Sequence, residues 1–201
     1  MTSAGREQLD EIMQRYALGD EDVFDRLYGL LAPRLYRFCL RLTSRAPEAD
    51  DLFQESFLRI HRARSSYMGG SSVIPWAFAI ARSLHLDRLR YRRRHPEDVA
   101  PTSEPVAHDS RYLQTNDNAG PEAEVGAHEL LKVVTLELNK MSEMNRVAYL
   151  LLKEEGLNVS EAAAVLGTST DAVKQRAHRA YHQIRAALCA AGWTEHCHER
   201  A

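Results

Sequence analysis

Apolar residues recur along this chain at steps of three and four, the period of amphipathic helices, and almost nowhere with the two-residue alternation of a strand. Glu7 to Leu18 and Glu21 to Leu31 read as two helices separated by Gly19 and Asp20, and a third pattern follows Pro33 through Leu35, Phe38, Cys39 and Leu42. After Pro47, the segment EADDLFQESFLRIHR lines up Ala49, Leu52, Phe53, Phe57 and Ile60 as one apolar stripe. YMGGSSVIP, from Tyr67 to Pro75, interrupts the helices, because paired glycines and serines favour a turn. WAFAIARSLHLDRLRYRRR follows from Trp76 to Arg94, with Trp76, Ala77, Ile80, Leu84 and Leu89 as its inner stripe. Helical periodicity resumes from Ala127 through Leu130, Leu131, Val134 and Leu138, and again from Asn145 to Glu155. The expected fold is therefore all-α, two small helical domains joined by a linker.

The last periodic stretch, Val159 to Leu188, predicts a helix-turn-helix. Ser160 is the expected N-cap of a short helix carrying Ala162, Ala163 and Leu166, and Gly167 is suited to the left-handed turn that ends it. Ser169 or Thr170 then caps a longer helix, in which Val173, Ala177, Ala180, Ile184 and Leu188 form the buried stripe. Its outer side carries Lys174, Gln175, Arg176, His178 and Arg179, side chains that bond phosphates and the acceptor-rich edge of guanine. An ordinary helical hairpin with a solvated basic face is the plainer reading of the spacing.

Charge changes the picture more than composition does. The net charge of -2 hides three blocks. Residues 1–94 hold sixteen Arg and no Lys against twelve acids, residues 95–125 one Arg against seven acids, and residues 126–201 nine against nine. The middle block, rich in Pro, Ser, Asn and Asp, has the composition of a flexible acidic linker with little regular structure. In the first block, Arg82, His85, Arg88, Arg90, Arg92, Arg93 and Arg94 load the outside and end of one helix beyond what its dipole requires, which points to phosphate binding. Trp76, at the head of that helix, reads more readily as core than as a stacking platform. The opposite imbalance occurs on the Pro47 helix, where Asp50, Asp51, Gln54 and Glu55 share the polar face. Asp51 and Glu55 lie four residues apart, so they repel unless something basic docks there; a solvated acidic face and a binding face are equal readings.

The three cysteines, Cys39, Cys189 and Cys197, form no CxxC pair and argue against a disulfide framework. No apolar run approaches the length of a membrane span, and the N-terminus lacks a secretory pattern, so a cytoplasmic protein is expected. No phosphate loop, HExxH or spaced nucleophile and base is present, so no enzyme is expected. No cofactor or metal is expected either, His196, Cys197 and His198 near Cys189 reading as a polar tail.

In this order, the acidic helix, the arginine-rich helix, GPEAEV and the helix-turn-helix resemble a bacterial RNA polymerase sigma factor of the extracytoplasmic-function (ECF) type, over most of the chain. The resemblance implies domains at 1–94 (core polymerase binding, minus-ten recognition and melting), a linker at 95–125, a minus-thirty-five reader at 126–190 and a tail at 191–201. It implies that Asp50, Asp51, Gln54 and Glu55 bind core RNA polymerase. Met68, Ser71, Ser72, Trp76, Arg82, His85, Arg88, Arg92 and Arg93 would meet minus-ten DNA. Ser169, Thr170, Lys174, Gln175, Arg176, His178 and Arg179 would meet minus-thirty-five DNA. Core polymerase, promoter DNA and an anti-sigma factor are the implied partners, with no membrane insertion. A stand-alone helix-turn-helix regulator is the alternative, and a sigma-like decoy that only sequesters an anti-sigma protein is a third reading, opposed by Lys174, Arg176 and Arg179.

Overall fold

The computed structural model describes residues 3–43, 45–95 and 121–193, and every regular element among them is helical. The chain forms two compact units, Met1–His108 and Asp109–Ala201. The expected linker segment 96–120 and the Cys/His tail lie outside the described residues.

The first unit contains α1 (Ser3–Ala17), α2 (Phe24–Thr43), α3 (Ala46–Ala63) and α4 (Val73–Arg94). The Pro33 break does not occur: α2 runs straight through it. Proline removes one helical N–H and crowds the carbonyl four residues back. Pro33 is exposed, however, and that carbonyl belongs to Gly29, also exposed, while Leu27, Leu31 and Leu35 are fully buried on both sides and hold the helix in place. α2 packs against α1, α3 and α4, and Leu9, Met13 and Tyr16 of α1, Leu52 and Ile60 of α3, and Ile74 and Phe78 of α4 are buried as these leucines are. Phe38 of α2 and Phe78 of α4 stack, 4.4 Å apart. Burying each such ring contributes about 1.5–3 kcal/mol.

α4 also starts earlier than the proline suggests, at Val73 rather than Trp76. Pro75 sits in the first turn, where N–H groups lack helical partners and its missing donor costs nothing. The Val73 N–H is instead taken by the Asp10 carboxylate, 2.7 Å away. With Val73 and Ile74 inside the helix, the buried stripe becomes Val73, Ile74, Ala77, Phe78, Ala81 and His85. The expected stripe was rotated from this one: Trp76, Ile80, Leu84 and Leu89 are only half-buried, and His85, expected outside, is 6% exposed.

The second unit comprises α5 (Pro121–Lys140), α6 (Glu143–Tyr149) with a π-helical turn at Leu150–Glu154, α7 (Val159–Leu166) and α8 (Thr170–Ala190). Residues 121–125, expected to be linker, already belong to α5, since proline at the first helical position has the required φ and no donor to waste. Leu138, Met141, Leu150, Ala180, Ile184 and Leu188 make the core beneath α8. The cap of α7 is Asn158, not Ser160: its side chain accepts from the Glu161 N–H at 2.9 Å and the Glu161 carboxylate accepts from the Asn158 N–H at 2.8 Å, a reciprocal capping box. Gly167 ends α7 at φ 61°, and the Ser169 hydroxyl then caps α8 through the Ala172 N–H. Cys39 is a buried free thiol.

Candidate functional site

Three exposed surfaces carry the polar residues singled out in the sequence. On α3, Asp50, Asp51, Gln54 and Glu55 are all exposed. The expected repulsion between Asp51 and Glu55 already has an internal answer. Arg88 of α4 donates to the Glu55 carboxylate from Nη2 at 2.6 Å and Nε at 3.2 Å, and from Nη1 to the Glu48 carbonyl at 3.4 Å. Arg92 pairs with Glu48 at 3.1 Å. These bonds tie α3 to α4 and leave Asp50, Asp51 and Gln54 as the outward acidic and amide groups.

Beside Gln54 lies a feature the sequence reading missed, an apolar cleft of about 380 Å³ lined by Phe24, Tyr28, Phe53, Gln54, Phe57, Leu58 and His61. Phe53 and Phe57 were assigned to the core stripe; Phe57 is buried, but Phe53 is half-buried and forms the wall, edge-on to Tyr36 at 5.5 Å. Tyr28 and Leu58 are 42% and 56% exposed on the lip. A signal was present: Leu58 falls about 100° past Phe57 around the helix, outside any single core-facing stripe. At the far end of the cleft the Tyr16 hydroxyl bonds His61 Nδ1, and Arg64 lies 3.2 Å from His61 Nε2.

The second surface is the loop before α4. Tyr67 is buried, and its hydroxyl donates to the Ser71 carbonyl; burial, and then the nearby Asp10 carboxylate, push its phenol up to about 12. The Ser71 N–H reaches back to the Met68 carbonyl at 3.2 Å. This closed turn presents Met68, 75% exposed, and Ser71, while Ser72 occupies the cap position of α4 without a side-chain bond. Trp76 is half-buried, edge-on to Tyr67 at 5.3 Å, so it is neither core nor free platform. Along α4, Arg82 is half-buried, Arg88 and Arg92 are ion-paired with α3, and Arg93 is exposed. His85 faces the core and does not join this surface.

The third surface is α8. Ser169, Thr170, Lys174, Gln175, His178 and Arg179 are exposed, with Lys174 3.6 Å from Asp171. Lys174, Gln175, His178 and Arg179 stand at about 0, 100, 40 and 140° around the axis, one continuous face. Arg176, expected with them, is half-buried at its edge, with Nη1 shielded and unpartnered. The alanines behind this face, Ala162 and Ala180, are fully buried and let α7 and α8 cross closely.

Two helices joined at a left-handed glycine turn in one unit, and an arginine-rich helix beside an acidic face in the other, are the arrangement that the resemblance to sigma-70 factors implies. The Sigma-70 region 2 family matches residues 27–95 and the Sigma-70, region 4 family residues 131–184. The RNA polymerase sigma factor CarQ of Myxococcus xanthus is 31% identical over 179 residues, 88% of this chain and 95% of that protein. The ECF RNA polymerase sigma factor EcfG of Rhodopseudomonas palustris is 31% identical over 78% of this chain and 80% of its own length. Among solved structures, the sigma factor RpoE of Bartonella quintana, in complex with the anti-sigma factor NepR, aligns with a TM-score of 0.66 at 24% identity, covering 82% of this chain and 96% of that one. The chain belongs to the sigma-70 family, in its ECF branch. It is a sigma factor, whose function is promoter-directed transcription initiation with core RNA polymerase and promoter DNA as partners.

Proposed function

We propose that the two units divide this work, with one domain at 1–94, a second that opens with α5 at Pro121 and runs to 190, and the segment between them as the connecting linker. Asp50, Asp51 and Gln54 dock on a basic element of core polymerase, and the cleft edged by Tyr28 and Leu58 adds apolar area beside them. Glu55 serves the same surface through Arg88. The Met68–Ser72 turn receives an extruded non-template base of the minus-ten element, since a base must leave the stack before its edges can be read. Arg82 and Arg93 hold the backbone there, while Arg88 and Arg92, expected with them, brace α4 on α3. Ser169 and Thr170 meet phosphates at the head of α8, where the helix dipole favours anions. The protein works in the cytoplasm, on the nucleoid when bound to polymerase, and an anti-sigma protein holds it silent until a stress or envelope signal arrives.

The observation that carries this reading is the continuous exposed face of Lys174, Gln175, His178 and Arg179, set on a helix that follows a left-handed glycine turn. Arg179 reads a guanine by a bidentate contact, and Arg176 at the edge grips phosphate. Arg179→Ala then costs about 1–3 kcal/mol and relaxes preference at one base pair of the minus-thirty-five element. Arg176→Ala weakens all promoters alike and lowers the salt dependence by about one ion. Transcription of a promoter-variant library with each mutant at two salt concentrations tests this; uniform loss in both, with no base preference altered, makes α8 a backbone clamp and removes Arg179 as the reader.

A further inference from the structure

His178 and His182 stand one turn apart on α8, and both are exposed. Their Nε2 atoms are 3.0 Å apart, whereas the ring centres are 4.2 Å apart with planes inclined at 56°. The rings therefore lean together at their nitrogen ends. At this distance an N–H on one imidazole meets a lone pair on the other, the donor being set by the tautomer. Two imidazole nitrogens on one transition metal, each at 2.0–2.1 Å and subtending between a right angle and a tetrahedral one, lie about 2.9–3.4 Å from each other. The observed separation falls within that span. Spacing of four residues is also what a helix needs to aim two ligands at one point, as in the His pair of HExxH. Here the intervening residues are Arg179, Ala180 and Tyr181, with no carboxylate to activate water, so the arrangement binds without hydrolytic chemistry.

We propose that His178 and His182 form a two-imidazole site for a divalent transition metal ion, with water completing its coordination. Binding uses the Nε2 lone pair of each ring, with the ring N–H on Nδ1. Imidazole suits Cu²⁺, Ni²⁺ and Zn²⁺, with copper first in affinity, and not the oxygen-seeking Mg²⁺ or Ca²⁺. The surroundings are cationic: Lys174, Arg179 and Arg185 share α8, and Lys153 lies 5.8 Å from the ring of Tyr181. Only an ion whose bond to imidazole outweighs that repulsion is retained. Among the described residues no group of three or more His, Cys, Asp or Glu is placed to hold a metal, so the site is open and exchangeable rather than structural. Resting on the reading of α8 as the minus-thirty-five reader, an occupied site also withdraws His178 from DNA, and metal and promoter compete.

The test uses Cu²⁺–iminodiacetate, whose chelate leaves two adjacent positions open, added to the full-length chain and followed by electron paramagnetic resonance. The chain carries nine histidines, so variants must locate the signal. Wild type is expected to bind one complex through two imidazole nitrogens. His182→Ala and His182→Gln, both at an exposed position, should keep their helical circular dichroism, lose the two-nitrogen signature and bind at least tenfold more weakly. Wild-type affinity and signature in both variants would overturn the site. A separate arm measures transcription by the holoenzyme with and without Ni²⁺. A loss that His182→Ala prevents supports the competition; no loss, with the resonance result intact, leaves the metal site standing and removes His178 from the DNA contacts.

Discussion

At the scale of single residues, burial decides chemistry more than residue type does. Cys39 shows it: enclosed in the first unit, its thiol is pushed up to about 12 by loss of solvent, a rise that the Ser56 hydroxyl and Arg88 only reduce. The raised folded-state value means that between pH 9 and 12 the unfolded chain releases a proton the folded chain keeps, so stability falls as pH rises through that window and is fully present below it. Tyr67 adds to the same limb from its ordinary value of 10 upward. Chemical denaturation at stepped pH is expected to show this alkaline loss, with a shallower slope in Cys39→Ala; an identical slope would remove the thiol as its source. Residue exposure was legible where helical phase could be trusted, as for Lys174, Gln175, His178 and Arg179. His85 was not: it stands seven residues after Phe78 on the same buried face, but an imidazole reads as polar and Phe78 was left out of the expected stripe.

At the scale of elements, caps and ion pairs set where each helix ends and which helix it grips. The Asn158–Glu161 capping box and the left-handed Gly167 bracket α7, only eight residues long. Asn158→Ala is expected to cost about 1 kcal/mol, and Gly167→Ala about 1–2 kcal/mol because its φ of 61° disfavours a Cβ. Thermal unfolding of the two variants measures both; an unshifted midpoint for Gly167→Ala would mean the turn relaxes. On α3, Asp51→Arg reverses the outward charge without touching the Arg88–Glu55 pair, and should weaken core binding at least tenfold, about 1.4 kcal/mol, with helical content intact. Unchanged affinity in a core-polymerase titration removes this face from the interface. Helix existence was legible throughout from the 3.6-residue period. Helix ends near prolines were not: Pro33, Pro75 and Pro121 all lie inside helices, because exposure at one site and first-turn positions at the others remove the usual penalty. The apolar cleft was hidden for a related reason, since Phe53 and Leu58 look the same in a sequence whether they face a core or a lip.

At the scale of the whole molecule, the charge blocks and the two compact units describe a protein whose two proposed DNA-binding surfaces are separated along the chain by an acidic stretch. Linked sites without a fixed spacing gain little from each other, and an acidic connector opposes approach to phosphates. On the proposed division of work, core polymerase sets the spacing of the two surfaces. Transcription in vitro on a genomic template library, with this chain added to core polymerase or withheld, tests that account most directly. It predicts initiation at a small set of start sites sharing minus-ten and minus-thirty-five elements, only when both are present, and weak promoter binding by the free chain. No chain-dependent initiation, together with tight sequence-specific binding of the free protein as a dimer on a palindrome, would contradict it and identify a stand-alone regulator.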